Sequence, residues 1–237
     1  DVYKRHVLYQ RALLLGHTNQ RTADAEVALQ TLLSDYDSRH LPARLALSAL
    51  RAREGRLEDA DAPLRDALDK ELALDPLEVA KLTEARARLW LHAHGAEIAK
   101  VRVAGSMPTA TQSSRLEALV EELRTVLTLR PGSCAVRTAL GWARLLAGDD
   151  KAAMDEFNKA SVADGDDPLP SLYRAFITSA AISAKAEAIV ESMVSEDPEH
   201  AGRADVSADA SIKAAEPFRD AAAQLLRALP AHAISAP

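Results

Sequence analysis

The chain is poor in the residues that build β-rich, disulfide-stapled or membrane-spanning proteins. Aromatic residues are 4% of its 237 positions and only 9 are glycine. That is too little for the branched or aromatic strand faces and many tight turns of a sandwich. Cys134 is the only cysteine, which excludes an internal disulfide and a thiolate metal cage. No run approaches the roughly eighteen consecutive apolar residues of a spanning helix, so no membrane span is expected. Charge of one sign is missing too. Acids and bases interleave to a formal net of −6, which argues against a basic face for a phosphate backbone and against nucleic acid as partner.

What the chain has is alanine and a sizeable apolar fraction, 48% of residues. It can bury a core and pack helices closely through small side chains, so the expected class is all-α. The 21 arginines against 8 lysines, with the many alanines, point to a GC-rich bacterial genome. The lone cysteine is compatible with a reducing compartment and equally with an envelope protein that lacks disulfides, so the compartment stays open, with the cytoplasm slightly favoured. A chain opening at Asp1 without methionine reads as processed or cut from something longer.

Helical patterns cover 2–15 and 23–34, then 42–54 closed by Gly55, then about 57–74. Asp75-Pro76-Leu77-Glu78 is a start signal, since Asp caps, Pro suits the first turn and Glu completes a capping box. The helix it opens is expected to run to about His94. Residues 95–113 follow as a long loop, a length usually functional or mobile. Ser114 and Glu117 form a second capping-box pattern. Behind it Leu116, Leu119, Val120, Leu123, Val126 and Leu127 recur at helical spacing up to Pro131-Gly132. Further helices are expected at 134–147, 150–162, 169–182 and 184–195. Residues 199–237 are expected to hold a polar linker, a helix near 210–229 kinked at Pro217, and a tail.

Two segments repeat. Leu140-Gly141, the turn at Gly148 and Ala153-x-x-x-Phe157-x-x-Ala160 stand in one. Leu47-Ser48, Gly55 and Ala60-x-x-x-Leu64-x-x-Ala67 stand in the other. Small residues let helix backbones approach, and Phe157 or Leu64 fills the space between them. This pattern resembles the tetratricopeptide repeat, with Pro131 where the family's closing proline belongs. The chain departs from the family at its tryptophan and tyrosine slots, which hold Arg137 and Arg144 in one copy and Arg44 and Arg51 in the other. Pro63 falls inside a second helix and should bend it.

The resemblance implies stacked antiparallel hairpins, an α-solenoid over 1–198, and a non-catalytic scaffold or adaptor that binds another protein. The first helix of each hairpin would line a concave groove through Leu45, Ala46, Ala49 and Arg53, and through Ala135, Thr138, Ala139, Trp142 and Leu145. Trp142 has two readings, an anchor for a partner segment or a core residue against the next hairpin. The C-terminal helix would either cap the array or reach a neighbouring subunit, and a homo-oligomer is compatible with both.

Chemistry is not expected, nor is any cofactor. His92 and His94 are two apart and point to different sides of a helix. Asp164, Asp166 and Asp167 lack the calcium-loop pattern and read as a turn whose Asp167 caps a helix. Cys134 at a helix start lies where the dipole lowers a thiol pKa, but it has no evident base. The cations Arg51, Arg53 and Arg56 suit a helix C-terminus. Two alternatives to the scaffold remain: the regulatory helical-repeat domain of an enzyme, and a nucleic-acid-binding helical repeat.

Overall fold

The computed structural model describes residues 2–16, 21–69, 74–103, 106–165, 167, 169–175 and 177–178. The expectations for 184–195 and for 199–237 lie outside them. Among the described residues the chain is all-helical. In order come α1 (Val2–Gly16), α2 (Thr22–Thr31), a π-helical turn (Leu32–Tyr36), α3 (Leu41–Arg53), α4 (Leu57–Asp69), α5 (Pro76–Val103), α6 (Ala110–Leu129), α7 (Cys134–Ala147) and α8 (Asp150–Ala163). Residues 169–175 are helical again.

Local chemistry explains most boundaries. Asp75 accepts from the Glu78 backbone N–H at 2.8 Å, and Glu78 accepts from that of Asp75 at 3.0 Å, the expected capping box. His40, Ser133 and Asp149 each accept from a backbone N–H three residues on, starting α3, α7 and α8. Gly55 and Gly148 close α3 and α7 at φ 79° and 96°, a left-handed turn that disfavours a side chain. Asp167 accepts from the Leu169 N–H at 2.9 Å and opens the next helical segment, as expected of it.

Two boundaries differ from the sequence reading. The long loop expected at 95–113 is mostly helix. α5 continues to Val103 and α6 starts at Ala110, and of the residues described between them only 106–109 are non-helical. Leu91, Gly95, Ile98 and Ala99 are buried at helical spacing, so the apolar face runs straight through the glycine. Gly95 is there for close approach: a Cβ would lie 2.8 Å from the Trp142 indole nitrogen. The capping box of α6 is Thr109 with Gln112, so Ser114 and Glu117 fall inside the helix.

Each helix packs on its neighbours in sequence, and α1–α3, α3–α5 and α5–α7 also touch in succession. No comparable contact joins the even-numbered helices among the described residues. The largest buried cluster spans α5 to α8 and takes in Leu116, Leu119, Leu123, Leu140, Phe157 and Tyr173. A smaller one joins α1, α2 and α3 through Ala12, Leu29, Leu32 and Leu47.

The hairpins α3–α4 and α7–α8 correspond at a constant displacement of 93 residues. Ala60, Leu64 and Ala67 match Ala153, Phe157 and Ala160, and all six are buried. The arginines at the matched positions of the first helices reach across each hairpin. In the second, Arg137 lies 3.2 Å and Arg144 3.9 Å from the oxygens of the buried Glu156. In the first, Pro63 stands at the position of Glu156. Arg44 donates to the Pro63 carbonyl at 2.8 Å and Arg51 to the Asp59 carbonyl at 2.9 Å. Asp59 is the carbonyl whose helical donor a proline at 63 removes, so Arg51 supplies the missing hydrogen bond.

Candidate functional site

The expected groove is largely closed. Thr138, Ala139, Trp142 and Leu145 are buried, Trp142 with 8% of its surface exposed. Its ring stacks on Tyr173 with centroids 4.8 Å apart, while its other side meets α5 at Gly95. This corrects the expectation that these positions are exposed, and between its two readings Trp142 is a core residue. Ala135 is half-buried. In the first hairpin, Leu45 packs on Leu41, Leu64, Ala67 and Leu82. Ala46 and Ala49 are half-buried. Arg53 is exposed but donates to the Gly16 carbonyl at the end of α1.

The other candidate residues are drawn into the fold. Burial first, then Asp167, raises the Cys134 thiol to about 11 against the opposing Thr138 hydrogen bond. The thiol lies 3.4 Å from the Asp167 carboxylate and 3.8 Å from the Thr138 hydroxyl. With its pKa raised, Cys134 stays a thiol at neutral pH. The arginines at 51 and 56 both pair with Glu26, which ties α2 to the end of α3, and Arg56 also pairs with Glu54. Burial alone would raise the Glu26 carboxyl, but hydrogen bonds from Arg56 and Arg51 outweigh it and hold the group below its ordinary value. His94 packs its ring on Trp90, centroids 4.8 Å apart. Burial lowers the pKa of His92. No group of three metal-capable side chains occurs among the described residues, and no described helix is long and apolar enough to cross a membrane.

Among the described residues an open apolar surface lies on α1. Its inner side places Leu8, Tyr9 and Ala12 on the α2–α3 cluster. On the opposite side stand Tyr3, Val7, Gln10 and Leu14, spaced by four, three and four residues, all exposed. At the helical step of ~100° per residue these four fall within an arc of about 60°. Tyr3 is 80% exposed and Leu14 71%. His6, Val7, Gln10, Arg11, Leu14 and Arg21 border a shallow cavity of about 490 Å³ there. Sequence reasoning took 2–15 only as a helix. The missed signal was that its apolar residues form two opposed stripes, whereas a helix at the surface of a protein normally needs one.

A scan against protein-family models matched none. A search of curated proteins likewise found no match.

Proposed function

We propose that this chain is a helical-repeat scaffold of the tetratricopeptide kind, without a catalytic step of its own, that holds another protein within a larger assembly. The observation that carries this reading is the two-sided α1. One apolar face is covered by the core and the other, Tyr3, Val7 and Leu14, meets solvent. An apolar face open to solvent on a helix whose other face is packed in the core marks a surface for a partner. The successive contacts of α1, α3, α5 and α7 support a stacked array, as does the 93-residue correspondence of two hairpins. With Trp142 and Leu145 buried, the binding surface moves from the groove to α1.

The test is affinity capture from the source cells with the wild type and Leu14→Asp. Leu14 is largely exposed, so the variant should keep the helical circular dichroism and melting temperature of the parent. A partner held by the wild type and lost by the folded variant supports the reading. Retention of every partner by Leu14→Asp would sink it, and Ala49→Arg and Ala135→Arg would then probe what remains open of the groove.

A further inference from the structure

Resting on that reading, we infer that the outer face of α1 seats a single amphipathic helix of a partner protein, one whose apolar seam is flanked by glutamate or aspartate. The four-three-four spacing of Tyr3, Val7, Gln10 and Leu14 is that of a two-helix seam, in which alternate steps keep one narrow stripe facing the partner. Gln10 sits inside the stripe, where a polar residue sets register and asks for a polar group opposite. The cavity bordered by Val7, Gln10 and Leu14 gives the seam a recess for a side chain.

The rim of the seam decides the chemistry of the partner. Between Val2 and Gly16 stand Lys4, Arg5 and Arg11 and no acid, in a chain of net −6. Arg5 is held by Asp37 at 2.8 Å, whereas Lys4 and Arg11 have no ion-pair partner among the described residues. On the helical wheel Lys4 and Arg11, seven apart, form one edge of the stripe, and His6 stands on the other. A second copy laid α1 against α1 would set these cations against each other if antiparallel, and against His6 and Leu13 if parallel, so neither arrangement offers them an acid. An acidic-rimmed helix satisfies the seam and its edges together, and attraction at the rim speeds the encounter. A lipid surface could use the cations, but a flat bilayer leaves the recess beside Gln10 unfilled.

The experiment uses the whole chain and two labelled helical peptides of about three heptads with an identical leucine seam, one flanked by Glu and one by Lys. Fluorescence anisotropy should show the Glu-flanked peptide binding ~10-fold tighter or better, a difference of about 1.4 kcal/mol. That preference should shrink as salt is raised through the range where the Debye length falls from ~10 Å to ~3 Å. Leu14→Asp should abolish binding of both peptides, and Arg11→Glu, which sets an acid beside Lys4 on the same edge, should remove the preference. Equal affinities, no binding, or binding indifferent to Leu14→Asp would each overturn the inference. So would a concentration-dependent dimer, or sedimentation with anionic phosphatidylserine vesicles, that Leu14→Asp removes. If the peptides fail while Leu14→Asp still loses a captured cellular partner, only this inference falls. If Leu14→Asp keeps every captured partner, the scaffold reading falls with it.

Discussion

The hairpins α3–α4 and α7–α8 share a frame and differ in how its halves are joined. Both carry arginines seven residues apart, a left-handed glycine in the turn and four buried residues in the second helix. In α7–α8 the arginines meet a carboxylate, Glu156, and Phe157 packs against Gly141 and Tyr173. In α3–α4 they meet backbone carbonyls around Pro63, and Leu64 stands where Phe157 does. Arginine succeeds in both because its planar fork bonds carboxylates and carbonyls alike. The repeated position therefore specifies a reach across the hairpin and leaves the acceptor open.

Deleting the large residue should separate the two hairpins most. Phe157→Ala removes a fully buried ring and should cost about 4 kcal/mol in chemical denaturation, and Leu64→Ala about 3. Equal losses would mean that the aromatic stack with Tyr173 adds nothing. Next, Glu156→Ala leaves Arg137, Arg144 and the half-exposed Lys159 facing a vacated site and should cost about 3 kcal/mol. Gly141→Ala places a Cβ 2.6 Å from the Phe157 ring and should cost about 2 kcal/mol. Ser48→Ala, at the matching position, should cost far less.

A double-mutant cycle sharpens the proline half of the comparison. Arg51→Met should cost about 2 kcal/mol, since Asp59 and Glu26 both lose a donor. In a Pro63→Ala background the helix regains its own donor for the Asp59 carbonyl, and the loss should fall by about 1 kcal/mol. Additive changes would show that Arg51 does not serve the proline.

The smallest effect is electrostatic and confined to the α2–α3 junction. The Glu26 carboxyl is depressed below its ordinary 4.5 when folded. Its contribution is therefore complete above that value and is lost as pH falls through the depressed one. Thermal melts of the wild type between about pH 5 and 3 should fall more steeply than those of Glu26→Gln. Parallel slopes would exclude Glu26 as the acid-sensitive group.

Legibility followed the range of the interaction. The capping box at Asp75 and Glu78, the cap at Asp167 and the turns at Gly55 and Gly148 were readable because their partners lie within a few residues. The continuation of α5 through Gly95 was not. A helical glycine reads as a stop unless the indole it makes room for is known, and Trp142 is 47 residues away. The groove failed for the same reason. Periodicity finds the positions of α7 that face away from α8, but it cannot say that α5 and Tyr173 already cover them.

The sequence alone determined the helical class, the two hairpins and their turn chemistry, because alanine-rich periodicity, caps and left-handed glycines act through the local backbone. Only the tertiary structure decided which apolar faces are spent and which remain open. It covered Trp142 and exposed Tyr3, Val7 and Leu14, since burial depends on which helices arrive from elsewhere in the chain and no local pattern records that.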